Sequence, residues 1–252
     1  DSIAGIPSKV LASQGTAIVK VFGKSAAATG WNEKRLRAAG RDFLTIHTHP
    51  NDHAAYYPGA QTLAIKLLVD PADAAILGAQ AVGAEGVDKR IDVIATAMRA
   101  GLTATDLIDL ELAYAPPFGS AKDPINQLGY IAENRLSGLS ESADWSEIEQ
   151  LQNNGWKLLD VRTQEEFTEG SIPGALNAPL DEIRAEIEGL RGTDYLVYCA
   201  VGQRAHVATQ LLNAHGIKAK NLDGGWTTWR NTPAAQTASR AARDALVGAT
   251  SS

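Results

Sequence analysis

A chain of 252 residues with 44% hydrophobic and 21% charged positions has the composition of ordinary globular protein and the length for two domains. The formal net charge of -6 argues against a protein that works by neutralising nucleic-acid phosphate, and no stretch approaches the roughly 20 apolar residues of a membrane-spanning helix. The single cysteine excludes an internal disulfide, and no charged segment followed by an apolar run opens the chain, so a cytoplasmic protein is expected. Asp1 is not an initiator methionine, and a piece of a longer chain is expected.

The β-branched run TAIVKVF before Gly23 predicts a strand, followed by a Gly/Ala stretch and a short charged helix from Asn32 to Ala39. Two more strands are expected over Phe43 to His49 and Thr62 to Val69, separated by the polar segment HTHPNDHAAYYPGA, and AAILGAQAVG supplies a fourth apolar run. Val87, Ile91, Ile94 and Met98 then fall on one face of a helix that Gly101 stops. Helices over Thr105 to Leu112 and Pro124 to Arg135 flank the APPFGSAKD loop. This half reads as an α+β domain with a mixed or antiparallel sheet.

From Gly138 to Ser146 the sequence turns polar and loses its apolar period, as a linker does. The second half alternates strand and helix: WKLLDV, the EEF segment, DEIRAEIEGL with Ile183, Ile187 and Leu190 on one face, YLVYC, a helix from Gln203 to His215, and a strand from Ala219 to Leu222. Such alternation predicts an α/β domain with a mainly parallel sheet flanked by helices. The expected division is 1–137, a linker at 138–145, a second domain at 146–235 and a loose tail or weak helix at 236–252. There is no internal repeat.

The chemistry centres on Cys199, which follows the apolar strand Tyr195 to Tyr198 and precedes Ala200, Val201, Gly202, Gln203 and Arg204. In a parallel sheet this is the carboxyl edge, where ligand sites form. A loop curling from strand end into helix N-terminus aims backbone N–H groups inward and favours an anionic sulfur or substrate. Gly202 permits the curl, and Arg204 is free to pair with a carboxylate or an anion. A buried cysteine elsewhere is most often inert filler; the C-x-x-G-x-R spacing at a strand-to-helix junction reverses that expectation.

LLDVR at Leu158 to Arg162, EEF, GSIPGALNAPL, CAVGQR and LDGGWTTW at Leu222 to Trp229 follow in the order of the rhodanese family's motifs, and the second half resembles that family. The resemblance implies a sulfurtransferase in which Cys199 carries sulfane sulfur as a persulfide within the loop Ala200 to Arg204. It also implies that Asp160 orients Arg204 or shapes the pocket. Arg162 and Arg184 are candidates to attract an anionic donor such as thiosulfate, with a thiol as acceptor, although each such arginine is more often a solvated surface residue. Trp226 and Trp229 read as packing. The six-residue loop resembles sulfurtransferases rather than the phosphatases and arsenate reductases of the same fold, and Ser171 stands where the family usually has histidine.

HTHPNDHAAYYPGA, VDKRIDVIATAM and YAPPFGSAKDPIN resemble the dimerisation domain of flavin-dependent pyridine nucleotide–disulfide oxidoreductases, in the branch of coenzyme A-disulfide and persulfide reductases. The resemblance implies a homodimer formed through residues 1–137, and FAD, NAD(P)H and coenzyme A in the complete enzyme, with Tyr57 and Tyr114 beside the coenzyme A. No G-x-G-x-x-G turn follows a strand, so no cofactor is expected within this chain itself. A non-catalytic dimerisation and docking module is the alternative, followed by a phosphatase or arsenate reductase on the rhodanese fold. His47, His49 and His53 lack a convergent set of further ligands, and no metal is expected; they read as solvated or interface histidines.

Overall fold

The computed structural model describes residues 2–5 and 11–238. The first sheet has five strands in the order β1-β2-β5-β4-β3: β1 (Ala17–Val21), β2 (Lys24–Gly30), β3 (Leu44–Thr48), β4 (Ala64–Val69) and β5 (Ile76–Gly83). Every pairing in it is antiparallel. The β1–β2 turn consists of Phe22 and Gly23, both at positive φ (48° and 77°), the geometry whose twist matches a tight hairpin. The Gly/Ala stretch is therefore a strand, and a central one. Alanine has little preference for strands, but here pairing on both sides decides.

Between β2 and β3 lies the short α1 (Glu33–Ala38), capped by the Asn32 side chain. The apolar face of α2 (Val87–Ala100) lies on β2 and β5, where Ile91, Ile94 and Ala97 join Ile65, Leu67 and Ala79 in one core. Gly101, at φ 77°, ends α2 in the left-handed conformation. The next helix, α3 (Pro124–Leu136), starts with a capping box between Asp123 and Asn126 and with proline at its first position. Buried Arg90 of α2 donates to Asp123 and to the carbonyl of Asp52, tying the HTHPNDH segment to the start of α3.

A full helix over Thr105 to Leu112 does not form; one 3-10 turn, Asp106–Asp109, stands in its place. The Asn126 amide donates to the carbonyls of Leu107, Ile108 and Leu110, so a side chain serves acceptors that a continuing helix would use.

The second sheet is wholly parallel, in the order β6-β10-β9-β7-β8: β6 (Ser142–Ala143), β7 (Lys157–Asp160), β8 (Leu176–Asn177), β9 (Tyr195–Tyr198) and β10 (Ala219–Leu222). Its helices are α4 (Ile148–Asn153), α5 (Gln164–Glu169), α6 (Ile183–Leu190), α7 (Gln203–Ala214) and α8 (Gly225–Trp229). Strand alternation divides the core by face. Tyr195, Val197 and Cys199 pack with Ile183, Ile187, Ala208 and Leu212, while Leu196 and Tyr198 pack with Ile148, Trp156 and Trp229. The segment expected as a linker contains β6, which pairs with β10 and so belongs to this sheet. Of the expected tail, residues 236–238 are helical and 239–252 lie outside the described residues. No described helix is long and apolar enough to cross a membrane.

Candidate active site

Cys199 stands at the carboxyl end of β9 with its side chain buried, and the Gly202 N–H donates to its Sγ at 3.2 Å. Gly202 takes φ 103°, which turns the chain sharply back and starts α7 directly beneath the sulfur. The N-terminal end of a twelve-residue helix thus points at the thiol, a setting that favours an anion.

The loop is braced from behind by the LDGGW segment. The Trp226 N–H donates to the Cys199 carbonyl at 2.8 Å and the Thr227 N–H to the Ala200 carbonyl at 2.9 Å. These N–H groups become available because Gly224 and Gly225 both turn at positive φ (67° and 55°). A Cβ on Gly225 would stand 2.4 Å from the Cys199 carbonyl oxygen, so glycine is required by contact as well as by conformation. On the inner side, the Asn221 amide donates to the Gly202 carbonyl.

Arg204 lies at the rim of the loop. Its guanidinium binds Glu166 through two parallel hydrogen bonds of 2.7 Å each, and Arg204 holds the Glu166 carboxyl down to about 2. Glu166 in turn raises the guanidinium above its usual range against the opposing effect of burial, and the Cys199 sulfur adds in the same direction. Glu166 is also the third residue of α5 and closes a capping box with Thr163. The sequence motif EEF contains it, and the T-x-x-E spacing from Thr163 is the signal that could have placed it at a helix start.

The carboxylate of Arg204 is therefore Glu166 and not Asp160. Asp160, at the end of β7, is fully buried and binds Arg162 through its own turn, with the closest contact 2.6 Å. Arg162 is buried too, donates to the Gly170 carbonyl, and lies over the Trp226 ring. It is a structural brace rather than an exposed trap for anions. Trp226 stacks on Trp229 with centroids 5.2 Å apart, consistent with packing. Arg184 is exposed on α6, and among the described residues it makes no hydrogen bond to the loop. Ala200 and Val201 are half-buried, Gly202 is buried and Gln203 is exposed at the head of α7.

A cavity of about 430 Å³ opens between the two domains, with Val201, Gly202 and Gln203 on one wall and Tyr130, Asn134 and Lys122 on the other. In the first domain Tyr57 and Tyr114 are both partly exposed. The Tyr114 hydroxyl lies 3.5 Å from that of Tyr56, while Tyr57 and His53 meet edge to face at 5.9 Å between centroids. His47 and His49 face the second domain, and His53 pairs with Asp52 at 3.0 Å. No group of three or more metal-ligating side chains converges among the described residues.

A parallel sheet carrying a cysteine loop over a helix N-terminus, joined to an antiparallel sheet with two packed helices, defines a two-domain α+β and α/β protein. Residues 144–232 match the rhodanese-like domain and residues 16–124 match the pyridine nucleotide-disulphide oxidoreductase dimerisation domain, one match per domain. A coenzyme A disulfide reductase of Staphylococcus aureus is 42% identical over 119 residues, covering 47% of this chain and 27% of that protein. Reduced Bacillus anthracis CoADR-RHD superimposes with a TM-score of 0.84 at 44% identity, covering 86% of this chain and 39% of that one. A NAD-dependent persulfide reductase from A. fulgidus gives 0.80 at 36%, covering 90% and 41%. The chain therefore spans well under half the length of these relatives.

Proposed function

We propose that Cys199 is the acceptor of a sulfane sulfur and carries it as a persulfide. The observation that carries this reading is the Gly202 N–H on Sγ at 3.2 Å, at the head of α7, within a loop whose backbone is fixed by Trp226 and Thr227. With thiosulfate as donor, the Cys199 thiolate attacks the outer sulfur. A new S–S bond forms, the old one breaks, and sulfite departs with the electron pair. A nucleophile such as cyanide or a second thiolate then attacks the outer sulfur of the persulfide and restores the Cys199 thiolate. The loop N–H groups and Arg204 stabilise the anions that arrive and leave.

In a longer protein the first domain would form the homodimer. The β1–β2 hairpin supports this, since it exposes Ile18, Val19, Val21 and Phe22. FAD, NAD(P)H and coenzyme A would serve there, with Tyr57 and Tyr114 near the coenzyme A. This sequence holds no G-x-G-x-x-G cradle for a dinucleotide, so its own residues do not fit FAD or NAD(P)H. Incubation with thiosulfate and cyanide tests the sulfur-transfer reading. The expected results are thiocyanate release and, without cyanide, a gain of about 32 Da on Cys199, one sulfur atom. Absence of both in the wild type, or their persistence in Cys199→Ser, overturns it.

A further inference from the structure

The HTH motif of the first domain meets the Cys199 loop of the second through a single turn. The Asp223 carboxylate accepts from the His47 backbone N–H at 3.0 and 3.2 Å and from Nδ1 of the same residue at 2.6 Å. His49 Nε2 lies 2.8 Å from the Thr228 hydroxyl. Between these two anchors sits Gly224, where a Cβ would come within 2.8 Å of the His47 Cβ. The other side of the same turn presents the Trp226 and Thr227 N–H groups that hold the Cys199 and Ala200 carbonyls. Residues 223–228 are thus gripped by the first domain at both ends and grip the reactive loop in the middle.

We propose that His47 and His49 are positioning residues for the sulfur-transfer loop, fixing from the neighbouring domain the turn that sets the height of Cys199 over α7. The inference rests on the sulfur-transfer reading of Cys199. Its chemistry requires a proton on His47 Nδ1, facing the Asp223 carboxylate, and a hydrogen bond between neutral His49 and Thr228. The rim pair Arg204–Glu166 is anchored on α5 and α7 and, among the described residues, makes no hydrogen bond to this turn, so donor capture and loop alignment are separable.

Steady-state thiosulfate:cyanide kinetics of the whole chain test this. The expected result is a kcat lower by about 10-fold in His47→Ala and in His49→Ala, with KM for thiosulfate within about twofold, because misplacement by a fraction of an ångström acts on the reacting geometry. His47→Asn keeps a donor at the Nδ1 position and His49→Gln keeps one at Nε2; each restores kcat to within about threefold of wild type. If His47→Ala does not fold, the cycle of His49→Ala with Thr228→Val decides. The double variant then loses no more than either single one. Unchanged kcat in the alanine variants, loss without rescue by Asn and Gln, or additive losses in the cycle each overturn the inference. A wild type that makes neither thiocyanate nor persulfide sinks the sulfur-transfer reading instead.

Discussion

The guanidinium of Arg204 and the carboxylate of Glu166 meet in a fork of two 2.7 Å hydrogen bonds at the mouth of the cysteine loop. The pair joins the first turn of α7 to the first turn of α5, so the rim of the site is closed by a link between two helix starts. In the proposed sulfur transfer it would hold a fixed cation beside the loop for an anionic donor.

Glu166→Gln loses that alignment and is expected to lower kcat/KM for thiosulfate by about 10-fold, with most of the loss in KM. The pair also marks stability. The carboxyl is held down to about 2, below its unfolded value, so its contribution is present above about pH 5 and is lost as pH falls toward 2. Thermal melts should show wild type above Glu166→Gln near neutrality and the two converging at the acid end. The pair is a third exposed, and the gap at neutrality should be small.

Gly225→Ala places a methyl against the Cys199 carbonyl oxygen at a residue with φ 55°. The turn has to move, and the loop moves with it. A stability loss of roughly 1–3 kcal/mol is expected, together with near-complete loss of thiocyanate formation. Urea titration and the sulfur-transfer assay on the same preparation check both.

The buried pair Asp160–Arg162 makes the opposite forecast, with stability affected first. Arg162→Met leaves the Asp160 carboxylate unpaired in the core and should cost about 3–5 kcal/mol, whereas the double variant Asp160→Asn/Arg162→Met recovers a good part of it. Equal unfolding free energies for the single and double variants would show that the charge, once unpaired, costs nothing.

His49 is pushed down to about 4 by burial, with the charge of His47 adding to it. The unfolded chain takes up this proton near pH 6.5 and the folded one only near 4, so stability falls as pH drops through that window. His49→Gln should remove a part of that slope on the order of 1–3 kcal/mol. Denaturant midpoints at pH 4, 5, 6 and 7 measure it.

Much of this architecture is legible in local sequence. The strand YLVY, the C-x-x-G-x-R spacing and the amphipathic face of Val87–Ala100 each declare their own conformation, because period and turn chemistry act over a few residues. Two places escaped. The alanines of β2 carry no strand signal and are ordered by partners on both sides. The helix expected near Thr105 is undone by one amide, that of Asn126, from a later helix.

The sequence by itself determined the order of the two domains, the single cysteine and its seat between a strand and a helix. The tertiary structure alone decided who pairs with whom. Asp160 takes Arg162 and leaves Arg204 to Glu166, and His47 finds Asp223 across 176 residues of chain. Backbone conformation is dictated by neighbours along the chain. The partner of a long charged side chain depends on which carboxylate burial brings within 3 Å of it, and no spacing in the sequence records that.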